Sequence, residues 1–363
     1  MGKGLADWKN KKQIIKTIFL TFPIFVSLTA CSALSGSDRK AYSESFFAMD
    51  TYMTFTAYGA NAEHALLEAE NRIAELESLW SVTDAGSDIY AVNHSNGQPV
   101  AVSGETEKLV AFALEMAEDT GGALEPTIYP VLMAWGFTTG ENRVPSQTEI
   151  GELLEYVGYD RVCLEKGELS LDAGTMLDLG AVGKGFAGDE AAQALQENGV
   201  SSALLDIGGN IQAIGAKPDG SYWRVGLKSP FSDGMLGVIR VADAAVVTSG
   251  SYERYFIGED GKRYGHIMDP ATGYPVDNGV ASVTVIAGEG KRCDALSTAL
   301  FVMGRERAED YWRQQGDFDM ILVMEDGNIY ITEGMEARFS LQSEYGDMTV
   351  NVVEVQERNG KNN

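Results

Sequence analysis

Between residues 201 and 287 the chain passes through one strand-like segment after another with no helical stretch between them. These are "SSALLDIGGNIQAIG", "YWRVGLK", "GVIRVADAAVVTSGSYERYF" and "VASVTVIA". Strands that follow one another in this way pair as antiparallel neighbours, which does not fit a regular βαβ alternation. Helical patterns are inserted around this run. Residues 61–80 put Ala65, Leu66, Ala69, Ile73, Leu76 and Leu79 on one side of a helix. Residues 104–120 follow a Ser103 cap as a second helix. "ELSLDAGTMLDLGAVGKGFAGDEAAQALQENG" reads as hairpin, glycine turn and helix, and "KRCDALSTALFVMG" as a helix ending at Gly304. "SFFAMDTYMTFTAYG" (45–59) reads as a strand, and Asp260-Gly261 and Asp326-Gly327 as hairpin turns. "GGALEPTIYPVLMAWGFTTG" reads as a loop with short helical turns beside a cleft. The predicted class is α+β: a single large domain with antiparallel sheets and inserted helices.

Charge narrows the function. The 363 residues carry 28 Lys+Arg against 53 Asp+Glu, a formal net charge of −25, and this argues against nucleic acid, whose phosphates need a basic surface. It suits a site that uses carboxylates to hold a metal, although a solvated acidic shell explains most of the charges. The N-terminus reads as a targeting segment. Lys3, Lys9, Lys11, Lys12 and Lys16 precede the apolar run "TIFLTFPIFVSLTA" (17–30), which is shorter than the roughly 20 residues of a stable membrane span. "LTAC" then resembles a bacterial lipobox with Cys31 as the lipidated residue. The expected organisation is a lipoprotein signal peptide over 1–30, a flexible tether over 31–44, the folded domain over 45–335 and a polar tail over 336–363. The protein is expected to be exported and lipid-anchored on the outer side of a bacterial membrane. Cys163 and Cys293 are the remaining cysteines, with neither CxxC nor zinc spacing.

Four stretches hold residues suited to chemistry. In "LDLGAVGKGFAGDEAA", Asp178 ends a strand, Gly180, Gly183 and Gly185 allow close backbone approach, and Lys184 stands beside a helix N-terminus, which favours phosphate. Lys184 is followed by Gly185 rather than Ser or Thr, so this is not a Walker A loop. The alternative is a glycine-rich turn with a solvated lysine. In "CDALSTALFVMG", Asp294 and Thr298 are four residues apart and share a helix face, where a carboxylate and a hydroxyl suit a hard cation such as Mg²⁺. The alternative is a dipole-favoured acid near a helix start and a threonine bonded to backbone. In "LLDIGGNIQAIG", Asp206 and Asn210 flank a Gly-Gly that marks a bulge or a ligand approach. In "YGHIMDPATGYPV", His266 is one of three histidines and a candidate base, with Asp269 placed either to orient it or to cap the turn. His64, on a predicted helix, and His94, in a polar loop, read as ordinary.

Taken in order, "DLGAVGKGFAGD", "LDIGGN", "TSGSYERYF", "HIMDPATGYP" and "DALSTA" resemble the successive motifs of ApbE-type FAD:protein FMN transferases, over about Ser45 to Ile331. The resemblance implies an ApbE-like, T-fold-like domain that splits FAD at its pyrophosphate with Mg²⁺. FMN then passes to a threonine or serine hydroxyl of a partner protein, and AMP is released. It further implies that Met49, Thr83, Ala134, Trp135, Gly136, Asp178, Lys184 and Met268 contact FAD. The metal would be held by the Ala181 backbone oxygen with the side chains of Asp294 and Thr298, and His266 would be the catalytic base. Two positions depart from the common pattern. Ser297 stands where many members have a second acidic residue, and Thr83 where many have an aromatic one, with Trp80 nearby as a substitute aromatic wall. The implied partner is an acceptor subunit of a membrane redox complex carrying covalent FMN. The alternatives are an FAD pyrophosphatase, with water as acceptor, and an exported flavin-binding lipoprotein without catalysis.

Overall fold

A computed structural model of the chain describes residues 40–355. The signal-peptide and Cys31 readings fall outside these residues. The tether reading needs correction at its end. Residues 41–44 already belong to strand β1 (Ala41–Ala48), which pairs antiparallel with β2 (Thr51–Tyr58). The segment expected as one strand is therefore most of a hairpin. Its turn is made by Met49 and Asp50, both at positive φ (49° and 56°), a backbone region that non-glycine residues rarely adopt. The Met49 N–H donates to Glu77 Oε1 at 2.7 Å, which holds the turn in place.

The first half of the chain continues with α1 (Ala62–Trp80), α2 (Asp88–Asn93), β3 (Val100–Ala101), α3 (Gly104–Asp119), α4 (Tyr129–Trp135), α5 (Gln147–Leu154), β4 (Val162–Glu165) and β5 (Glu168–Leu171). In α1, Ala65, Leu66, Ala69, Ile73 and Leu76 are buried, the stripe expected from its periodicity, while Leu79 is only partly covered. Then come α6 (Gly183–Glu197), β6 (Ala203–Ile207), β7 (Asn210–Ile214), β8 (Trp223–Lys228), β9 (Met235–Val241), β10 (Ala244–Gly250), β11 (Tyr255–Ile257), β12 (Arg263–Gly265) and β13 (Val280–Ala287). The chain closes with α7 (Gly290–Met303), α8 (Arg305–Gln315), β14 (Asp319–Met324), β15 (Ile329–Thr332), β16 (Phe339–Leu341) and β17 (Val350–Val353).

Nine strands form the main sheet in the order β1-β2-β6-β7-β10-β13-β14-β15-β17, antiparallel throughout except for the parallel β15–β17 pair. The fold is α+β, as expected. One face of the sheet packs on α1, α6, α7 and α8 through residues such as Phe55, Ile73, Leu195, Leu296 and Trp312. Part of the other face is covered by the three-stranded sheet β16-β9-β8, with Trp223, Ile239, Ile286 and Ile331 between them. Strand β13 is covered from both sides and is buried at almost every position, its residues apolar apart from Ser282 and Thr284. The stretch from 336, expected as a polar tail, instead supplies β16 to the small sheet and β17 to an edge of the main one. Its strands are short and lie at sheet edges, where exposed polar residues are tolerated and the apolar alternation is weak.

Candidate active site

A cavity of about 690 Å³ opens where the ends of β2, β7 and β10 meet the start of α6, the Asp294–Thr298–Val302 face of α7 and the turn after β12. That volume suits a cofactor-sized ligand. Its walls combine residues from distant parts of the sequence: Met49, Trp80, Thr83, Asp178, Ala181, Lys184, Asn210, Ser249, Arg254, His266, Met268, Asp294 and Thr298.

Helices α6 and α7 pack so closely at Gly185 and Gly290 that a side chain has no room there. A Cβ on Gly185 would collide with the Gly290 carbonyl and lie 2.6 Å from Cβ of Asp294. Gly185 is thus explained by helix packing rather than by ligand approach. The Gly185 N–H donates to Asp294 Oδ2 at 2.8 Å. Among the described residues no backbone N–H is directed at the Ala181 carbonyl, whose usual helical donor would be that same Gly185 N–H. Ala181 lies on the cavity wall. Burial pushes the Asp294 carboxyl above its ordinary range, opposed chiefly by the charge of Lys184. A buried carboxylate of this kind is stabilised by a cation. Among the described residues no group of three or more His, Cys, Asp or Glu could hold a metal ion. The local donors are one carboxylate, the Thr298 hydroxyl and the Ala181 carbonyl, an all-oxygen set that fits a hard ion keeping several waters. Ser297 takes no part. It is fully buried and off the cavity wall, donates to the Asp294 carbonyl oxygen (2.9 Å) and bonds Ser249 Oγ (2.9 Å), which also bonds Thr298 Oγ1 (3.3 Å).

The same cavity is lined by His266. Its backbone N–H and its ring both bond the Arg254 carbonyl, at 3.0 and 3.2 Å. A carbonyl only accepts, so Nδ1 bears the proton and Nε2 is left as an acceptor. Burial, then the Arg254 charge, pushes the ring's pKa down to about 4, so it is neutral at physiological pH. Arg254 is itself held by a bond from Nη2 to the Phe137 carbonyl at 2.9 Å. Asp269 caps the turn and does not orient the ring: Oδ1 accepts the Ala271 N–H (2.9 Å), and its backbone joins Tyr274 and Gly273. Trp135 buttresses this turn from behind, donating Nε1–H to the Gly273 carbonyl at 2.9 Å and packing on Tyr264 and Tyr274.

The predicted site residues therefore divide. Met49, Thr83, Asp178, Ala181, Lys184, His266, Met268, Asp294 and Thr298 share the cavity. Ala134, Trp135 and Gly136 are not on its wall; Leu132 and Phe137 of the same segment are. Trp135 is fully buried in a small cluster with Val131, Ile150 and Met268. Asp178 is pushed above its ordinary range by burial and accepts the Gly180 N–H at 2.8 Å, where a Cβ on residue 180 would crowd the same oxygen. Asp206 accepts the Gly209 N–H at 2.8 Å and stands off the wall, whereas Asn210 is on it. His94 stacks on Tyr90, and neither it nor His64 reaches the cavity. Sequence reasoning singled out the "TSGSYERYF" stretch but not its individual contributors, Ser249 and Arg254.

Comparison with known proteins gives a consistent result. The model of the ApbE family matches residues 49–322. An FAD:protein FMN transferase of Klebsiella pneumoniae is 34% identical over 310 residues, covering 84% of this chain and 96% of the relative. One of Treponema pallidum is also 34% identical, covering 78% of this chain and 85% of the relative. Among solved structures, the ApbE protein of Thermotoga maritima superposes with a TM-score of 0.78 at 34% identity, covering 82% of this chain and 99% of that one. The flavinyl transferase ApbE of Pseudomonas stutzeri gives 0.75 at 28%, covering 84% and 98%.

Proposed function

The chain belongs to the ApbE family, and on that premise we propose that it is an FAD:protein FMN transferase using the cavity described above. The observation that carries this reading is the meeting, in one cavity, of a neutral histidine with a committed Nδ1 and an all-oxygen donor set built on one buried carboxylate. The substrate is FAD, and the acceptor is a threonine or serine hydroxyl of a partner protein.

In this reading the incoming hydroxyl hydrogen-bonds to His266 Nε2, which takes its proton as the oxygen attacks the phosphorus of the FMN half. A new O–P bond forms, the pyrophosphate P–O bond breaks, and AMP leaves with the electron pair. Phosphoryl transfer asks mainly for positioning and charge neutralisation. Lys184 and Arg254 place fixed positive charge on the cavity wall. Asp294, Thr298 and the Ala181 carbonyl would hold Mg²⁺, which when bound neutralises charge on the pyrophosphate. Leu132, Phe137, Met49 and Met268 offer apolar surface to a flavin ring. Residues 3–31 support the further proposal of an exported protein anchored through lipidated Cys31. Among the described residues no helix is long and apolar enough to cross a membrane. The proposed partner is a membrane redox subunit that carries covalent FMN.

Incubation with FAD and Mg²⁺, with and without an acceptor domain, tests the reading. AMP release together with an FMN-sized mass gain on the acceptor, both abolished by EDTA, is the expected result. AMP without the mass gain would replace the transferase with a pyrophosphatase. FAD binding without AMP would leave only a carrier.

A further inference from the structure

Helices α6 and α7 run antiparallel, and their contact is a ladder of matched positions. On α6 and the turn before it, Ala181, Gly185 and Asp189 stand at i, i+4 and i+8, one stripe of a helix. On α7, Gly290, Asp294 and Thr298 do the same. At one end of the ladder, Asp189 Oδ1 accepts the Gly290 N–H at 2.6 Å and Oδ2 accepts the Lys291 N–H at 2.9 Å. In the middle, the Gly185 N–H meets Asp294 Oδ2. At the other end Ala181 and Thr298 lie on the cavity wall, with Thr298 Oγ1 3.3 Å from Ser249 Oγ.

Asp189 is not on the cavity wall and has no part in the chemistry proposed above. Its placement is nevertheless unusual for a helix cap. The residue immediately before α7, Glu289, makes no side-chain cap. The first free N–H groups of α7 are satisfied instead by a carboxylate from the opposite helix. Such a cap fixes one helix against the other as well as ending it. The rung beside it permits little slack, because a Cβ on Gly290 would lie 2.8 Å from the Gly185 carbonyl and 3.1 Å from Asp189 Oδ1.

We propose that Asp189 is a positioning residue for the cation site: by capping α7 from α6 it sets the register of the ladder, and so the spacing between the Ala181 carbonyl, Asp294 and Thr298. This role rests on the metal reading given under the proposed function. Its test is the binding of Mn²⁺, as a spectroscopic stand-in for Mg²⁺, to the purified full chain without flavin, followed by the loss of free-ion EPR signal. Asp189→Ala is expected to weaken Mn²⁺ binding at least tenfold. Asp189→Asn, which keeps one acceptor oxygen, should fall between it and the wild type; it also decides the matter if the alanine variant does not fold. Ser103→Ala is the control, because it removes a cap from α3 (Ser103 Oγ accepts the Thr106 N–H at 3.2 Å), a helix that supplies no rung of the ladder. It should lower the melting temperature while leaving Mn²⁺ affinity within twofold. Wild-type affinity in folded Asp189 variants would overturn the role, as would an equal loss in Ser103→Ala. A wild-type chain that binds no Mn²⁺ would overturn the metal reading itself, and this role with it.

Discussion

The two walls of the cavity are built in different ways. The wall proposed to hold the cation is made of helix backbone: α6 and α7 touch through Gly185 and Gly290, and Asp294 is fixed by a main-chain N–H. The base wall is made of turns: His266 hangs on the Arg254 carbonyl, and its turn leans on Trp135. Regular elements hold donors at fixed spacing, which a metal requires. A turn presents one side chain to the cavity, as the proposed reaction with an acceptor hydroxyl needs. The comparison implies that damage to one wall leaves the other's task intact.

The largest expected effect is from His266→Ala, which should lower kcat about 10²–10⁴-fold, the usual range for losing a general base. Mn²⁺ affinity should be unchanged, and a parallel loss of metal would break the division between the walls. Next comes Gly185→Ala. Its methyl group must push α6 and α7 apart, at a cost of about 1–3 kcal/mol in thermal or urea unfolding, with weakened metal binding. Gly183→Ala is the contrast. The nearest atom to its added Cβ is on Trp80 at 4.0 Å, so stability and metal affinity should both be retained. Trp135→Phe removes the bond to the Gly273 carbonyl, which should cost about 1 kcal/mol of stability and lower kcat with no change in Mn²⁺ affinity.

The smallest effect concerns pH. His266 is held near 4 in the fold, against 6.5 for an ordinary histidine. Between those values the unfolded chain carries a proton that the folded chain does not, so this residue makes stability fall as pH drops through the window. The base also stays unprotonated there. The acid limb of kcat/KM assigned to His266, by its loss in His266→Ala, should therefore lie well below pH 6.5. A limb at or above 6.5 would contradict the burial of the ring.

What the sequence disclosed follows the same division. Asp294 and Thr298 could be paired from helical spacing alone, and His266 stood out as a scarce titratable group among turn formers. The α+β order was legible in strands that succeed one another without helices. Contacts between distant elements were not. The reason for Gly185 lies in a helix more than 100 residues away, and the cap on α7 comes from Asp189, with no local signature at Glu289. In the "LMAWGF" stretch, Trp135 turned inward to support Gly273, so that Leu132 and Phe137 reached the cavity instead. The turn at Met49 and Asp50 carries none of the glycine signals of a hairpin, because its conformation is fixed by Glu77. Strands β16 and β17 are short edge strands with little apolar alternation to reveal them.

The most direct test of the account is a crystal structure of the chain with FAD and Mg²⁺. The expected result is the metal on Asp294, Thr298 and the Ala181 carbonyl, the pyrophosphate beside Lys184, and His266 Nε2 facing the phosphorus of the FMN half. FAD bound elsewhere, or bound here with its pyrophosphate away from both walls, would contradict it.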